Sequence, residues 1–272
     1  MEGIAATRRR EAGRLLTYIK RIWAFAEDRE LIEGNPVASL KAGNIGEGLT
    51  PRQRGRVLSD DELARFWHRG ETCGLRRLTV LALQFVLVTG QRPGEVAGIR
   101  RSEIDGDTWV IPAERRRKTD SALTVPLTAT AQRILDAARE ETERLKPRRG
   151  EAHSDHIFQT RPGKPITTTA LSRAVLRYAE RLGSNDDPTW GYWRPHDLRR
   201  TARTGLSAAG VGELVAELAI GHTRKGMVAV YDLHRYDAEK RAALEAWERR
   251  LLRIVEGQPG DENVVPIESG KK

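Results

Sequence analysis

The run from Leu75 to Val88 is the longest apolar stretch of the chain, with Arg76, Arg77 and Gln84 among its polar interruptions. A helix that is apolar on nearly every side has to be surrounded, so it predicts the centre of a globular domain. It falls short of the ~18–20 residues that a membrane-crossing helix needs, and no other apolar run is longer. The residues just past the run predict a sharp corner. Gly90 suits a helix C-cap in the left-handed conformation, and Pro93 suits the first position of a new helix. Arg92 lies between them, and Glu95 stands one turn later to orient its guanidinium.

The rest of the chain is read around that centre. Leu15, Leu16, Ile19, Ile22, Trp23 and Ala26 recur at helical spacing, which predicts a helix over 8–33 that ends at Gly34-Asn35-Pro36. Lys41 to Arg56 has no apolar period and reads as a linker. Ser59-Asp60-Asp61-Glu62 is a capping box that starts a helix over 60–69. Further helices are predicted at 75–89, 93–99, from Thr128 to about Leu145, and at 168–182, 195–209, 211–219, 225–231 and 237–255. Thr108–Pro112 and Ala122–Leu127 are short β-prone runs joined by a charged loop, which predicts a hairpin. The fold class is therefore mostly α with a small antiparallel β-hairpin or sheet. The expected organisation is a partial helical region over 1–46, a linker over 47–57, a larger domain over 58–256 and a disordered tail over 257–272.

Composition limits the chemistry. The net charge of +9 points toward polyanions, although arginine is abundant throughout. The single cysteine, Cys73, rules out an internal disulfide framework and a cysteine-based zinc site. His153 and His156 lack acidic or cysteine partners nearby, so no metal site is expected. Gly205 and Gly210 do not build a phosphate-cradling loop, and no nucleotide-binding motif of the Walker type occurs. The N-terminus lacks an apolar stretch suited to secretion, so a cytoplasmic, nucleoid-associated protein is expected, with no membrane partner.

Against that background one ordered set of residues stands out. Arg92 sits in TGQRPGEV. Lys118 is the one lysine between Lys41 and Lys146, and it comes directly after Arg115, Arg116 and Arg117. His196 and Arg199, three apart, share a helical face. Gly221-His222 lies further on, and Tyr231 comes nine residues after that histidine. A phosphodiester is an anion that resists nucleophiles. Arginine pairs can clamp its oxygens, a lysine can give a proton to a leaving oxygen where guanidinium cannot, and a tyrosine can attack and hold the phosphate covalently.

The segments TGQRPGEV, RRRKTDSALTVPL, HDLRRTART and LAIGHTRKGMVAVYDLHRY resemble those of the tyrosine recombinases, specifically the phage-integrase branch, over roughly residues 57–255. The resemblance implies a catalytic set of Arg92, Lys118, His196, Arg199, His222 and Tyr231, with Glu95 and Asp197 supporting it. Tyr236 is the rival nucleophile. Arg115, Arg116, Arg117, Arg200 and Arg203 are expected to face DNA. The implied activity is site-specific recombination of double-stranded DNA through a 3′-phosphotyrosine intermediate, without metal, ATP or other cofactor. The implied assembly is a homotetramer on paired sites, with accessory DNA-bending or directionality proteins. Alternatives are a recombination-deficient DNA-binding prophage remnant and a type IB topoisomerase-like relaxation activity. The segment ahead of the linker is shorter than the family's helical core-binding domain and reads as a truncated one. The apolar stripe Leu244, Trp247, Leu251 and Ile254 of the last helix is expected to form a contact between protomers on DNA, with packing on its own domain as the alternative.

Overall fold

The computed structural model describes residues 4, 7–44, 55–70, 72, 74–116, 121–145, 154–183, 192–223 and 234–257. The chain divides into two compact units, Met1–Gly55 and Arg56–Lys272.

In the first unit one long helix, α1 (Arg9–Asp28), dominates. It is five residues shorter at its end than its apolar spacing predicts, because the backbone turns before the Gly-Asn-Pro stop, with Glu30 at φ 55°. The chain then doubles back onto the helix. Lys20 Nζ donates to Ala38 O at 3.0 Å, and the Asn35 N–H donates to Glu27 Oε1 at 3.1 Å. Tyr18, Ile22 and Phe25, at spacings of four and three, remain exposed.

The second unit is built around the apolar run. It forms α3 (Arg77–Thr89), in which every residue from Val80 to Thr89 is buried. Gly90 closes it in the left-handed conformation at φ 65°. Around it pack α4 (Pro93–Ala97), α5 (Ala129–Arg144), α6 (Thr168–Gly183), α7 (Pro195–Ala208) and α9 (Asp237–Val255). The unit opens with α2 (Asp60–Arg69), started by the expected capping box. The Glu62 N–H donates to Ser59 Oγ at 3.3 Å, and the Ser59 N–H donates to Glu62 Oε2 at 2.9 Å. A second helix start is stabilised from a distance. Glu248 of α9 accepts the Thr130 N–H at 2.5 Å, placing a buried carboxylate at the positive end of α5.

The predicted hairpin forms from β2 (Thr108–Ile111) and β3 (Leu123–Pro126), paired antiparallel with Trp109 opposite Val125 and Ile111 opposite Leu123. Trp109, Ile111, Leu123 and Val125 turn inward, whereas Val110 faces out, the period-two pattern of a half-buried strand. The two-residue strand β1 (Ile104–Asp105) extends this sheet, and β4 (Gln159–Arg161) with β5 (Lys164–Pro165) makes a separate pair.

One expectation is overturned here. The stripe on α9 is not left for a neighbouring protomer, because Leu244, Trp247 and Leu251 are at most 1% exposed within their own domain. The Trp247 indole N–H donates to Leu87 O of the central helix at 2.9 Å, which seats α9 as part of the core. The predicted helix at 225–231 and the tail beyond Gly257 lie outside the described residues.

Candidate active site

Two turns separated by more than a hundred residues meet to make the site. The first is the corner between α3 and α4. Glu95, 5% exposed, has both oxygens engaged by Arg92: Oε2 accepts the Arg92 backbone N–H at 3.1 Å, and Oε1 accepts Nη1 at 2.9 Å. One carboxylate thus caps the new helix and fixes the guanidinium. Gln91, fully buried, donates from Nε2 to Thr89 O at 2.9 Å and to Ala219 O at 2.8 Å, which joins this corner to the second turn.

The second turn ends α8 (Glu213–Ala219). The Gly221 N–H donates to Leu218 O at 3.0 Å, and the His222 N–H donates to Glu217 O at 2.9 Å. These two bonds with Gly221 at φ 80° define a Schellman motif, which satisfies orphan carbonyls at a helix end. Space as well as backbone angle requires glycine at that position. A Cβ there would lie 2.5 Å from Leu123 Cδ2 and 3.3 Å from Gln91 Oε1.

Three guanidinium groups converge on the carbonyls of this turn. Arg199 Nη1 donates to Ile220 O and, at 2.9 Å, to Gly90 O of the first turn. Arg116 Nη2 donates to Gly221 O at 2.8 Å, and Arg92 Nη2 makes a long contact with the same oxygen at 3.5 Å. Cations at a helix C-terminus are favourable, but three this close repel one another, and Glu95 is the buried carboxylate beside them. Burial first, and then the charge of Arg92, lowers the Arg199 guanidinium well below its ordinary range, to about 10. Burial lowers Arg116 as well, with Arg92 adding to the shift and Glu95 opposing it. Arg199 Nη2 is buried and has no hydrogen-bond partner among the described residues. The turn is a fixed, undercompensated positive centre.

His196 opens α7 just after Pro195, with Arg199 one turn on, as expected. Its ring lies on the wall of an open cleft of about 720 Å³ that Arg92, Glu95, Arg115, Arg116 and Thr168 also line. One side of the ring reaches solvent. The surrounding protein first, and then the charges of Arg199 and Arg200, push it below its ordinary value of 6.5. Asp197, 3% exposed, repeats the device of Glu95. It accepts the Arg194 N–H at 2.9 Å and Arg200 Nη1 at 3.0 Å. The side chain of His222 is 48% exposed, and its Nδ1 pairs with Glu217 Oε2. Lys118 and Tyr231, and Arg117 with them, lie outside the described residues. Tyr236 stands at the start of α9 with φ 55°, its ring against that of His234.

The basic run at the hairpin departs from expectation. Arg115 pairs with Glu103, which also accepts the Trp109 indole N–H at 3.0 Å. Arg116 is 5% exposed and binds Ser121 O at 2.9 Å besides Gly221 O. Neither stands at a solvated hairpin tip, because buried acceptors on distant segments claim both guanidinium groups. Arg203, also expected to face DNA, pairs with Glu217 at 2.6 Å. Gln91, Arg116 and Glu217 are the parts of the site that motif reading did not single out as such.

The end of α8 thus carries His222 and gathers Arg92, Arg116 and Arg199, while His196 lines the cleft beside Arg92. Residues 56–238 match the phage integrase family, and the chain belongs to it. Prophage integrase IntA of Escherichia coli strain K12 is 30% identical over 241 residues, 86% of this chain and 52% of that protein. The chain spans about half the length of the curated relatives it matches. Among solved structures, a lambda integrase (75–356) dimer bound to a COC′ core site aligns with a TM-score of 0.61 at 20% identity, covering 81% of this chain and 75% of that one. A lambda integrase tetramer bound to a Holliday junction aligns with a TM-score of 0.61 at 20% identity, covering 82% and 62%. The shared fold is mostly helical with small antiparallel sheets.

Proposed function

We propose that this chain carries the catalytic part of a site-specific DNA recombinase that breaks and rejoins strands through a 3′-phosphotyrosine intermediate. The observation that carries the reading is the pair of arginines fixed on adjacent carbonyls of one turn, with Arg199 Nη2 buried and unpartnered among the described residues. A phosphate would supply the missing acceptor and the missing negative charge. Rigid donors of this kind, oriented before the reaction, are the arrangement that stabilises developing charge.

In the proposed reaction the Tyr231 oxygen attacks the scissile phosphorus, the bond to the 5′-oxygen breaks, and the phosphate stays on the 3′ side as a tyrosyl ester. Free tyrosine, with a pKa near ~10, is barely ionised at neutral pH and needs a base. His196 is the candidate, because its lowered pKa leaves a neutral ring able to take the proton. Arg92 and Arg199 hold the non-bridging oxygens, His222 donates to the phosphate, and Lys118 protonates the departing 5′-oxygen. The bond energy is kept in the ester, so neither ATP nor metal is needed, and a second strand's 5′-hydroxyl reverses the step. Double-stranded DNA is the proposed substrate and a tetramer on paired sites the proposed assembly, with the lambda integrase complexes as support. Accessory bending or directionality proteins belong to the same proposal, as does assigning the first unit to part of a core-binding region.

The test is a nicked suicide duplex that traps the covalent adduct, with peptide mapping to locate it. The expected adduct is on Tyr231 and disappears in Tyr231→Phe. An adduct on Tyr236, or one that survives Tyr231→Phe, overturns the assignment of the nucleophile.

A further inference from the structure

We propose that Glu217 is a positioning residue for His222, holding its Nδ1–H so that Nε2 is the ring atom offered to a bound phosphate. The proposal deepens the recombinase reading and rests on it. A Schellman motif brings the residue just past the glycine back over the helix residue five positions earlier. Here those two residues are His222 and Glu217, so the backbone itself sets the side chains face to face.

The carboxylate is held from its other side too. Glu217 Oε1 accepts Arg203 Nε at 2.6 Å, and Arg203 Nη1 donates to Ser207 Oγ at 2.6 Å, so a cation on α7 fixes the carboxylate on α8. Partial burial pushes the Glu217 carboxyl up, but the hydrogen bonds from His222 and Arg203 outweigh it and hold the group below its ordinary 4.5. An ionised carboxylate can only accept. The hydrogen between the two groups therefore belongs to Nδ1, and the bond made by one ring nitrogen sets the role of the other. Gly221 O, immediately before His222, takes Arg116 and Arg92, so ring and guanidinium groups share the support of one turn. A ring that is half exposed would otherwise turn freely about its side-chain bonds.

Glu217→Gln gives a sharp test. The wild-type side chain has two acceptor oxygens, one for Arg203 and one for His222, whereas the amide has one. Arg203 can only donate and takes that oxygen, which leaves the amide N–H pointing at Nδ1. The hydrogen of the neutral His222 ring then moves to Nε2. Nitrogen-15 NMR of the neutral ring in the free protein reads this directly, with Nδ1–H expected in wild type and Nε2–H in Glu217→Gln. Glu217→Ala, checked for an unchanged melting temperature, is expected to slow single-turnover cleavage of the suicide duplex by about tenfold or more, by analogy with loss of the carboxylate that orients a metal-bound histidine, with duplex Kd unchanged. A wild-type ring with its hydrogen on Nε2, or a Glu217→Ala variant that cleaves at the wild-type rate, overturns the proposal. The NMR arm stands apart from cleavage. A wild-type chain that shows Nδ1–H but forms no adduct refutes the recombinase reading and supports the Glu217–His222 assignment.

Discussion

Arg199→Met separates what the site does for the reaction from what it does for the fold. At neutral pH, below both its folded value of about 10 and its higher ordinary value, Arg199 is charged in the folded and unfolded chain alike. The whole cost of burying that charge near Arg92 therefore applies, about 3 kcal/mol at 1.36 kcal/mol per unit. Methionine fills much of the same space and removes that cost. It also leaves Gly90 O and Ile220 O without this donor, at roughly 1–3 kcal/mol for each buried acceptor. The two effects nearly offset, so the expected change in stability lies between a gain of about 1 kcal/mol and a loss of about 3 kcal/mol. Catalysis has no such compensation, and loss of a catalytic arginine costs on the order of 10³–10⁵ in rate. The assays are chemical denaturation for stability and single-turnover adduct formation on the suicide duplex. A third measurement addresses the anion directly. Inorganic phosphate at ten times its Kd is expected to stabilise wild type by about 1.4 kcal/mol, which raises the melting temperature by roughly 3–6 °C at this chain length, and to leave Arg199→Met unmoved at matched ionic strength. Cleavage within tenfold of wild type, or equal stabilisation of both proteins by phosphate, would refute the reasoning.

In the free protein, His196 binds a proton less readily than in the unfolded chain, which takes one up near 6.5. Stability is therefore expected to fall as pH drops through about 6.5 and to level off below the folded value; His196→Gln, compared by denaturation across pH 5–8, should remove that slope. Gly205→Ala places a Cβ inside contact distance of the buried Trp247 ring, and overpacking of this kind costs about 1–3 kcal/mol or more, a fall of several degrees by calorimetry. Ser59→Ala removes one half of the capping box of α2 and is expected to cost about 1 kcal/mol in denaturation with cleavage unchanged.

How much of the fold was legible in the sequence depends on the range of the interactions involved. Helix periods, caps and the Gly90–Pro93 corner depend on neighbours within a few residues, and α3, α4, α7 and α9 appear where those signals place them. Strands of two or three residues carry no period, so β1, β4 and β5 could not be read. The corner that presents Arg92 and the helix face that presents Arg199 were legible for the same local reason. Arg115 and Arg116 were not, because a run of arginines looks solvated until Glu103 and Gly221 O are brought beside it by the fold. The stripe on α9 misled in the opposite direction. Apolar spacing shows that a face needs a partner, but not that the partner is Leu87 in the same domain. Glu217 is the instructive case, since its signal was local after all. Where a glycine ends a helix in a Schellman motif, the residue after it is brought back over the residue five positions earlier, and here that pair is His222 and Glu217. Reading the glycine only as a turn, and the histidine only as a member of the catalytic set, passes over the carboxylate that the backbone had already placed between the histidine and Arg203.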